Sequence, residues 1–229
     1  MHQFYRKLKT IGIDAYYWIM DYVYIFYWQT VGLIKKYDAK KYINDNSHKD
    51  PIILIPGVYE SWQFMKPIAD LLFTHGYSVH VVESLGYNTG SIEMMAERIQ
   101  EYALKNHIEQ YDIVAHSKGG LIAKYLLNAD VDTIKKVITI NTPFAGSAYA
   151  RLFPLRSIRL FLPTSAPIAL LAKDILSNKK ITSIYSAFDP HIPVGSHLDG
   201  ATNIRIKSGG HFRIIKDSNV HEIILSTLK

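Results

Sequence analysis

The chain has no cysteine among its 229 residues, and that excludes disulfides, thiolate nucleophiles and cysteine metal sites together. A reducing compartment and a bacterial-type exported protein both tolerate this absence, so location stays open. Also missing are a His-Glu-x-x-His pair, an EF-hand loop and a Walker glycine loop, the strings that zinc-protease, calcium and P-loop readings require. Neither an internal repeat nor a low-complexity tract is visible. Charge is sparse at 20% of residues, with a net of +6. That sign suits an anionic membrane surface or an acidic partner. The basic residues are scattered and form no recognition motif, so nucleic acid is not an expected partner. What remains is a 48% hydrophobic chain, long enough for one well-buried domain with material to spare.

The aromatic residues are unevenly spread. From Ile11 through Ile34 the chain packs in Tyr16, Tyr17, Trp18, Tyr22, Tyr24, Phe26, Tyr27 and Trp28. Arg6, Lys7 and Lys9 precede this segment, and Lys35, Lys36, Lys40 and Lys41 follow it. A bilayer span takes about 20 mostly apolar residues, so the length suffices. Asp14 and Asp21 interrupt it, however, and each aspartate at a helix centre costs roughly 2.5–3.5 kcal/mol on insertion scales. Asp14 can reach the interface, whereas Asp21 cannot do so easily. Tyrosine and tryptophan favour the interface over the hydrocarbon. The expectation is therefore a helix in, or shallowly inserted into, a membrane surface and anchored by its lysines. Spanning ranks second, and packing on the rest of the chain third. The interrupted apolar stretch, with no small-x-small site after it, argues against a cleaved signal peptide. If the segment spans, a slight excess of Lys and Arg on its C-terminal side would put the rest of the chain in the cytoplasm. The polar stretch Asp38 to Asp50 reads as a linker, dividing the chain into residues 1–50 and 51–229.

After Pro51 apolar runs alternate with helical patterns. Strand candidates are Ile52–Ile55, Ser78–Val82, Tyr111–Ala115, Lys136–Ile140, Ile181–Ala187 and Asn203–Lys207. Ser91 caps a helix whose Ile92, Met95, Ala96, Ile99 and Ala103 fall at helical spacing. Asn219 with Glu222 starts a last helix that buries Ile223, Ile224 and Leu228. Such alternation predicts an α/β fold, a doubly wound, mostly parallel six-stranded sheet with helices on both faces.

Ala115-His116-Ser117-Lys118-Gly119 lies between the third strand candidate and a helical pattern over about Gly120–Leu127. A serine at a strand-to-helix junction with small residues two before and two after it is the layout of a nucleophile elbow. Ala115 stands where the first glycine of the G-x-S-x-G form would be and keeps the position small. Two partners are then expected later in the chain, an acid followed by a histidine. Asp189 comes just past the fifth strand, and Ser208-Gly209-Gly210-His211 just past the sixth. All three therefore lie on one sheet edge, where open α/β sheets place their sites. The roles are nucleophile for Ser117, imidazole orienter for Asp189 and general base for His211.

Rivals are Asp199 for the acid and His191, His197 and His221 for the base. Asp189 can double as a turn residue before Pro190. His191 sits too near the acid, and His221 falls in a predicted helix. His116 is expected to support the turn. An oxyanion hole needs two backbone N–H donors. The loop Ile55-Pro56-Gly57-Val58-Tyr59 supplies Val58, and the residue after the serine supplies Lys118.

Three stretches, Ile-Pro-Gly-Val (55–58), Ile-Val-Ala-His-Ser-Lys-Gly-Gly (113–120) and Asn-Thr-Pro-Phe-Ala-Gly-Ser (141–147), make residues 51–229 resemble the α/β-hydrolase superfamily, in particular its small bacterial lipases. The run from Thr182 to Asp189, then Leu198-Asp-Gly-Ala201 and Gly209-Gly-His211, resembles the acid-to-histidine region of the compact lipases. The resemblance implies a serine hydrolase of carboxylic esters, most plausibly lipid acyl esters, with no metal or organic cofactor. A thioesterase or acyltransferase would use the same residues, and a catalytically silent membrane-bound binding protein is the reading from another class. Two positions depart from the family pattern. Pro56-Gly57 replaces the usual His-Gly, and Lys118 replaces the common methionine or glutamine. The Lys118 side chain is expected to extend into solvent. Residues 148–178 exceed what the most compact lipases carry, and the apolar, basic run Arg151–Pro163 with a helix over Ile168–Leu176 is expected to form a cap or lid.

Overall fold

The strand sequences dictate a sheet buried on both sides. Ile52–Ile55 (β1) is four aliphatic residues, all inaccessible to solvent, and a parallel sheet covered on both faces requires such unbroken runs. The computed structural model describes residues 2–35, 37–130 and 132–229, with side chains for all of these except residues 2–11 and 13. Beside β1 it places Val79–Val81 (β2), Tyr111–His116 (β3), Ile134–Ile140 (β4), Ile181–Phe188 (β5) and Thr202–Gly209 (β6). They pair in the order β2-β1-β3-β4-β5-β6, every pair parallel. All six strand candidates are present, with ends shifted by two residues or fewer.

Successive side chains point to opposite faces of a strand, and the core divides accordingly. Ile52, Leu54 and Val114 join one apolar cluster, while Ile53, Ile55, Ile113 and Ala115 join another. The first is covered by the helices His2–Ile34 (α1), Lys66–Thr74 (α2) and Ser218–Leu228 (α7). The second is covered by Ile92–Lys105 (α3), Lys118–Ala129 (α4) and the insertion before β5, which holds the short helices Arg156–Arg159 (α5) and Ala166–Leu171 (α6). Ser91 caps α3 by accepting the Met94 N–H, and the five apolar residues expected to face the core from α3 do so.

Several local expectations need correction. The last helix starts one residue earlier, at Ser218, because the Asp217 carboxylate accepts the Asn219 N–H and caps it. Its Ile224 and Leu228 are buried, but Ile223 is only half-buried. The helix expected over 168–176 ends at Leu171. Further on, the Asp174 side chain takes the Leu176 and Ser177 amides into a turn, which competes with a helical ladder. The 38–50 stretch is not a bare linker either. It contains a 3₁₀ turn, Ala39–Tyr42, whose Tyr42 is 1% exposed in the first cluster and donates to Asp70.

Helix α1 runs along the molecule. Asp21, Tyr24 and Trp28 are buried, a spacing of three and four that marks one helix face. Tyr24 donates to the Phe64 carbonyl and Gln29 to the Tyr59 carbonyl. The other face leaves Ile19, Val23, Phe26, Leu33 and Ile34 more than half exposed. No helix among the described residues is long and apolar enough to cross a membrane.

Candidate active site

The sheet order sets where a site can form. From β1 the chain moves one way to β2, then crosses back past β1 to β3, so the winding reverses between β1 and β3. A reversal opens a crevice beyond the strand ends, here flanked by the loop after β1 (residues 56–60) and the turn after β3. Ser117 is that turn. Its φ of 51° and ψ of −119° lie in a region costly for a residue with a Cβ. The Ser117 N–H donates to Ile140 of β4, and its carbonyl accepts from Gly120. Such a turn requires α4 to lie close to β1. A Cβ on Gly119 would come within 2.2 Å of the Ile55 carbonyl, and one on Gly120 within 2.0 Å of Thr142 Oγ1.

His211 Nε2 lies 3.0 Å from Ser117 Oγ, and Nδ1 lies 2.7 Å from Asp189 Oδ2. The structure thus brings together three residues up to 94 positions apart in sequence. Asp189 also keeps its turn role, since Oδ1 accepts the His191 and Ile192 amides. Burial alone would push the Asp189 carboxyl up, but the charge and hydrogen bond of His211, with the His191 amide, hold it below the usual carboxylate range. Burial would likewise lower His211. The neighbouring Asp189 charge and hydrogen bond, then Asp21 and Glu60, raise it above the ordinary histidine value instead. A serine hydroxyl so linked through an imidazole to a carboxylate can lose its proton as it attacks an electrophile.

Asp199, His197 and His221 lie outside this hydrogen-bonded chain. The Asp199 side chain is 89% exposed and pairs loosely with His197. His221 donates from Nε2 to the Ile215 carbonyl. His191 does sit beside His211, with ring centroids 5.0 Å apart, and burial followed by the His211 charge lowers it to about 4. Asp189, His191 and His211 put ligand-type atoms within 4.8 Å of one another. Three N–H bonds already occupy the Asp189 carboxylate, so hydrogen bonding accounts for the cluster.

Of the two expected amide donors, Val58 lines the same cavity as Ser117. The amides on either side of it are committed, Gly57 to Glu60 Oε2 and Tyr59 to the Tyr87 carbonyl. Lys118 opens α4, where helical amides have no acceptor within their own helix. Its side chain corrects the expectation of a solvated cation. It is fully buried, and Nζ donates to the Asn88 and Gly90 carbonyls. Burial lowers its ammonium to about 8. Asn88 in turn donates to the Pro56 carbonyl, so this lysine braces the loops beside the serine and carries no charge into the cavity.

A family model described as alpha/beta hydrolase fold matches residues 50–164, half of the chain. The chain belongs to this family. Among solved structures, the mature lipase of Bacillus licheniformis superposes on this α/β hydrolase with a TM-score of 0.63 at 17% identity, over 81% of this chain and 96% of that one. An α/β hydrolase from sediment of the Mar Chica lagoon, Morocco, gives 0.59 at 17%, over 79% and 90%. An extracellular α/β-hydrolase of a Paenibacillus species gives 0.55 at 18%, over 77% and 98%. Likeness at these identities concerns the fold.

Besides His116, four more residues of this α/β hydrolase hold the constellation in place, and none of these four was singled out in that role from sequence. Glu60, 1% exposed, pairs with His116 Nδ1 at 2.8 Å and accepts the Gly57 amide. His116 Nε2 and Asn141 Nδ2 both donate to the His211 carbonyl, which bears out the supporting role expected of His116. Asn88 is described above. Asp21, on α1, accepts the His211 amide at 2.5 Å and the Phe212 and Arg213 amides at 2.9 Å each. From sequence it counted only as an obstacle to membrane insertion. The usable signal was its helical spacing to Tyr24 and Trp28, which points all three at one packed surface.

The cavity above Ser117 encloses about 290 Å³. Its walls are mostly apolar, with Ile25 from α1, Phe64, Phe153, Ile158, Phe161 and Ile192 among them. The expected cap contributes three of these, and Tyr59 Oη and Ser157 Oγ, 2.6 Å apart, tie it to the loop after β1.

Proposed function

We propose that this α/β hydrolase is a serine hydrolase that cleaves carboxylic esters, with lipid acyl esters as its substrate class. The observation that carries this reading is the continuous hydrogen-bonded chain Asp189–His211–Ser117 on the wall of an apolar cavity. In the reaction, Ser117 Oγ attacks the ester carbonyl and passes its proton to His211 Nε2. Asp189 holds the imidazole tautomer and stabilises the cation. The oxyanion of the tetrahedral intermediate is held by the Val58 and Lys118 amides. Its collapse expels the alcohol, which takes the proton from His211. Water then enters by the same route, giving a proton to His211, which returns it to Ser117 Oγ as the carboxylic acid leaves.

The acyl preference is supported by the cavity walls and by exposed apolar residues of the cap and of α1. Tyr149, Leu152, Phe153 and Leu155 of the cap are about half exposed or more, as are Ile19, Val23 and Phe26 of α1. Exposed lysines and arginines flank both groups, Lys35, Lys40 and Lys41 near α1 and Arg151, Arg156 and Arg159 in the cap. An apolar surface with a cationic margin matches an anionic lipid surface. The enzyme is accordingly proposed to work there as a peripheral protein.

A fluorophosphonate probe tests the chemistry. It is expected to label the native protein at Ser117, and Ser117→Ala is expected to lose labelling and about 10⁴-fold or more of its turnover of p-nitrophenyl esters. A folded native protein that resists the probe, or labelling that survives in the variant, would sink the proposal.

A further inference from the structure

Helix α1 is joined to the site through a buried carboxylate. The Asp21 carboxylate is inaccessible to solvent and makes hydrogen bonds to three successive amides, His211, Phe212 and Arg213. A 3₁₀ turn, Arg213–Lys216, starts there, and its own N-cap position, Phe212, supplies no side-chain bond. Asp21 therefore caps that turn from 190 residues away. The approach of α1 also explains the two glycines ahead of the histidine. A Cβ on Gly209 would lie 2.3 Å from the Tyr17 ring, and Gly210, at φ +107°, would bring one within 2.8 Å of Asp21 Oδ1. Arg213 completes the contact, its guanidinium over the Tyr17 ring and donating to the Gly209 carbonyl. On the opposite side of the backbone, His116 and Asn141 fix the His211 carbonyl. Without Asp21 the backbone of that residue is held only at its carbonyl.

We infer that Asp21 is a positioning residue, through which the N-terminal helix sets the place of the His211 imidazole between Asp189 and Ser117. The kinetic part of this inference rests on the proposed ester hydrolysis; the structural part does not. Charged and titratable groups facing His211 are Asp189 after β5, Glu60 after β1, Asp21 on α1, Arg213 beside it, and the imidazoles of His116 and His191. The negative charge of Asp21 favours the protonated form of His211. Removing it lowers the pH at which the base becomes free, so the acid limb of the rate profile moves down in pH.

The test compares the full-length wild type with Asp21→Asn and Asp21→Glu. Readouts are kcat and KM for p-nitrophenyl butyrate across pH, the ¹⁵N-histidine NMR titration of His211, and hydrogen exchange of the amides of residues 211–213. In Asp21→Asn, kcat is expected to fall about tenfold or more with KM little changed, while the acid limb and the NMR midpoint both move to lower pH. Asp21→Glu keeps the charge but lengthens the arm, so its limb stays at the wild-type position, its kcat falls and its loop amides exchange faster. Wild-type kcat, limb and midpoint in a folded Asp21→Asn would overturn the inference. If the amide variant does not fold, unchanged kcat and exchange in Asp21→Glu would overturn it equally. A wild type that cleaves no ester while the midpoint still moves in Asp21→Asn defeats the proposed function and leaves the positioning role standing.

Discussion

Every polar atom of His211 has a partner. Its amide meets Asp21, its carbonyl meets His116 and Asn141, Nδ1 meets Asp189 and Nε2 meets Ser117. An imidazole held by its backbone as well as by its ring has little freedom to leave the attack geometry. Asp189 is bound similarly, one oxygen to the turn and the other to the histidine, and its lowered pKa keeps it anionic through the working range. In the proposed reaction, the acid limb of activity then belongs to His211. From this follows a direct comparison of the two candidate acids. Asp189→Asn is expected to lower kcat by about 10⁴-fold, because an amide cannot hold the right tautomer. Asp199→Asn, at a site exposed to water, is expected to leave kcat unchanged. The reverse result in p-nitrophenyl ester assays would transfer the role to Asp199. Ser117, Asp189 and His211 were legible because each follows a strand in a fixed order. Lys118 was not, because a lysine is ordinarily exposed and the carbonyls that receive it come from a loop about 30 residues upstream.

Among the elements, α4 carries the tightest constraint. Its first turn passes so near β1 that Gly119 has no room for a methyl group, and the atom in the way is a backbone carbonyl of a central strand. A side-chain neighbour could rotate away, but this one cannot. Gly119→Ala is therefore expected to destabilise the fold by about 2 kcal/mol or more, read as a lower urea midpoint, and to slow Ser117 labelling in the molecules still folded. Unchanged midpoint and labelling would show that α4 can shift without cost. Helix α3 could be read from its Ser91 cap and apolar spacing, and α4 and α7 from helical patterns that fell within a few residues of their observed ends, since such signals are local. Helix α1 was legible as a helix but not in its contacts. The spacing of Asp21, Tyr24 and Trp28 marks a common face, but the groups that meet it, the Phe64 carbonyl and the 211–213 amides, come from distant segments.

Across the whole molecule, α1 (through Ile25 and Gln29) and the cap (through Tyr149, Phe153, Ile158 and Phe161) line one cavity with Ser117, and each also carries exposed apolar residues. The proposed lipid surface makes a measurable demand on that arrangement. The pair Ile19→Glu and Phe26→Glu alters two exposed residues that are not among the residues lining the cavity. Its sedimentation with anionic phosphatidylglycerol vesicles is expected to drop about tenfold or more, with turnover of a soluble short-chain ester retained. Wild type that stays in the supernatant, or a double variant that sediments equally, would remove the membrane from the proposal. High salt is expected to weaken the wild-type association as well, since the cationic margin acts through screened charge.

Local chemistry was enough to read six strands, the elbow at Ser117 and the order of its partners, because turns, strand runs and helix caps are written within a few neighbouring residues. What required the folded chain was everything that depends on which distant segments meet. Glu60 beneath His116, Lys118 beneath the 88–90 loop and Asp21 behind His211 are charged residues with partners 28 to 192 positions away. In sequence each has the appearance of a solvated or misplaced charge. Burial without a partner would be costly, so their meaning rests on contacts made by the sheet and its helices, and no local pattern encodes those.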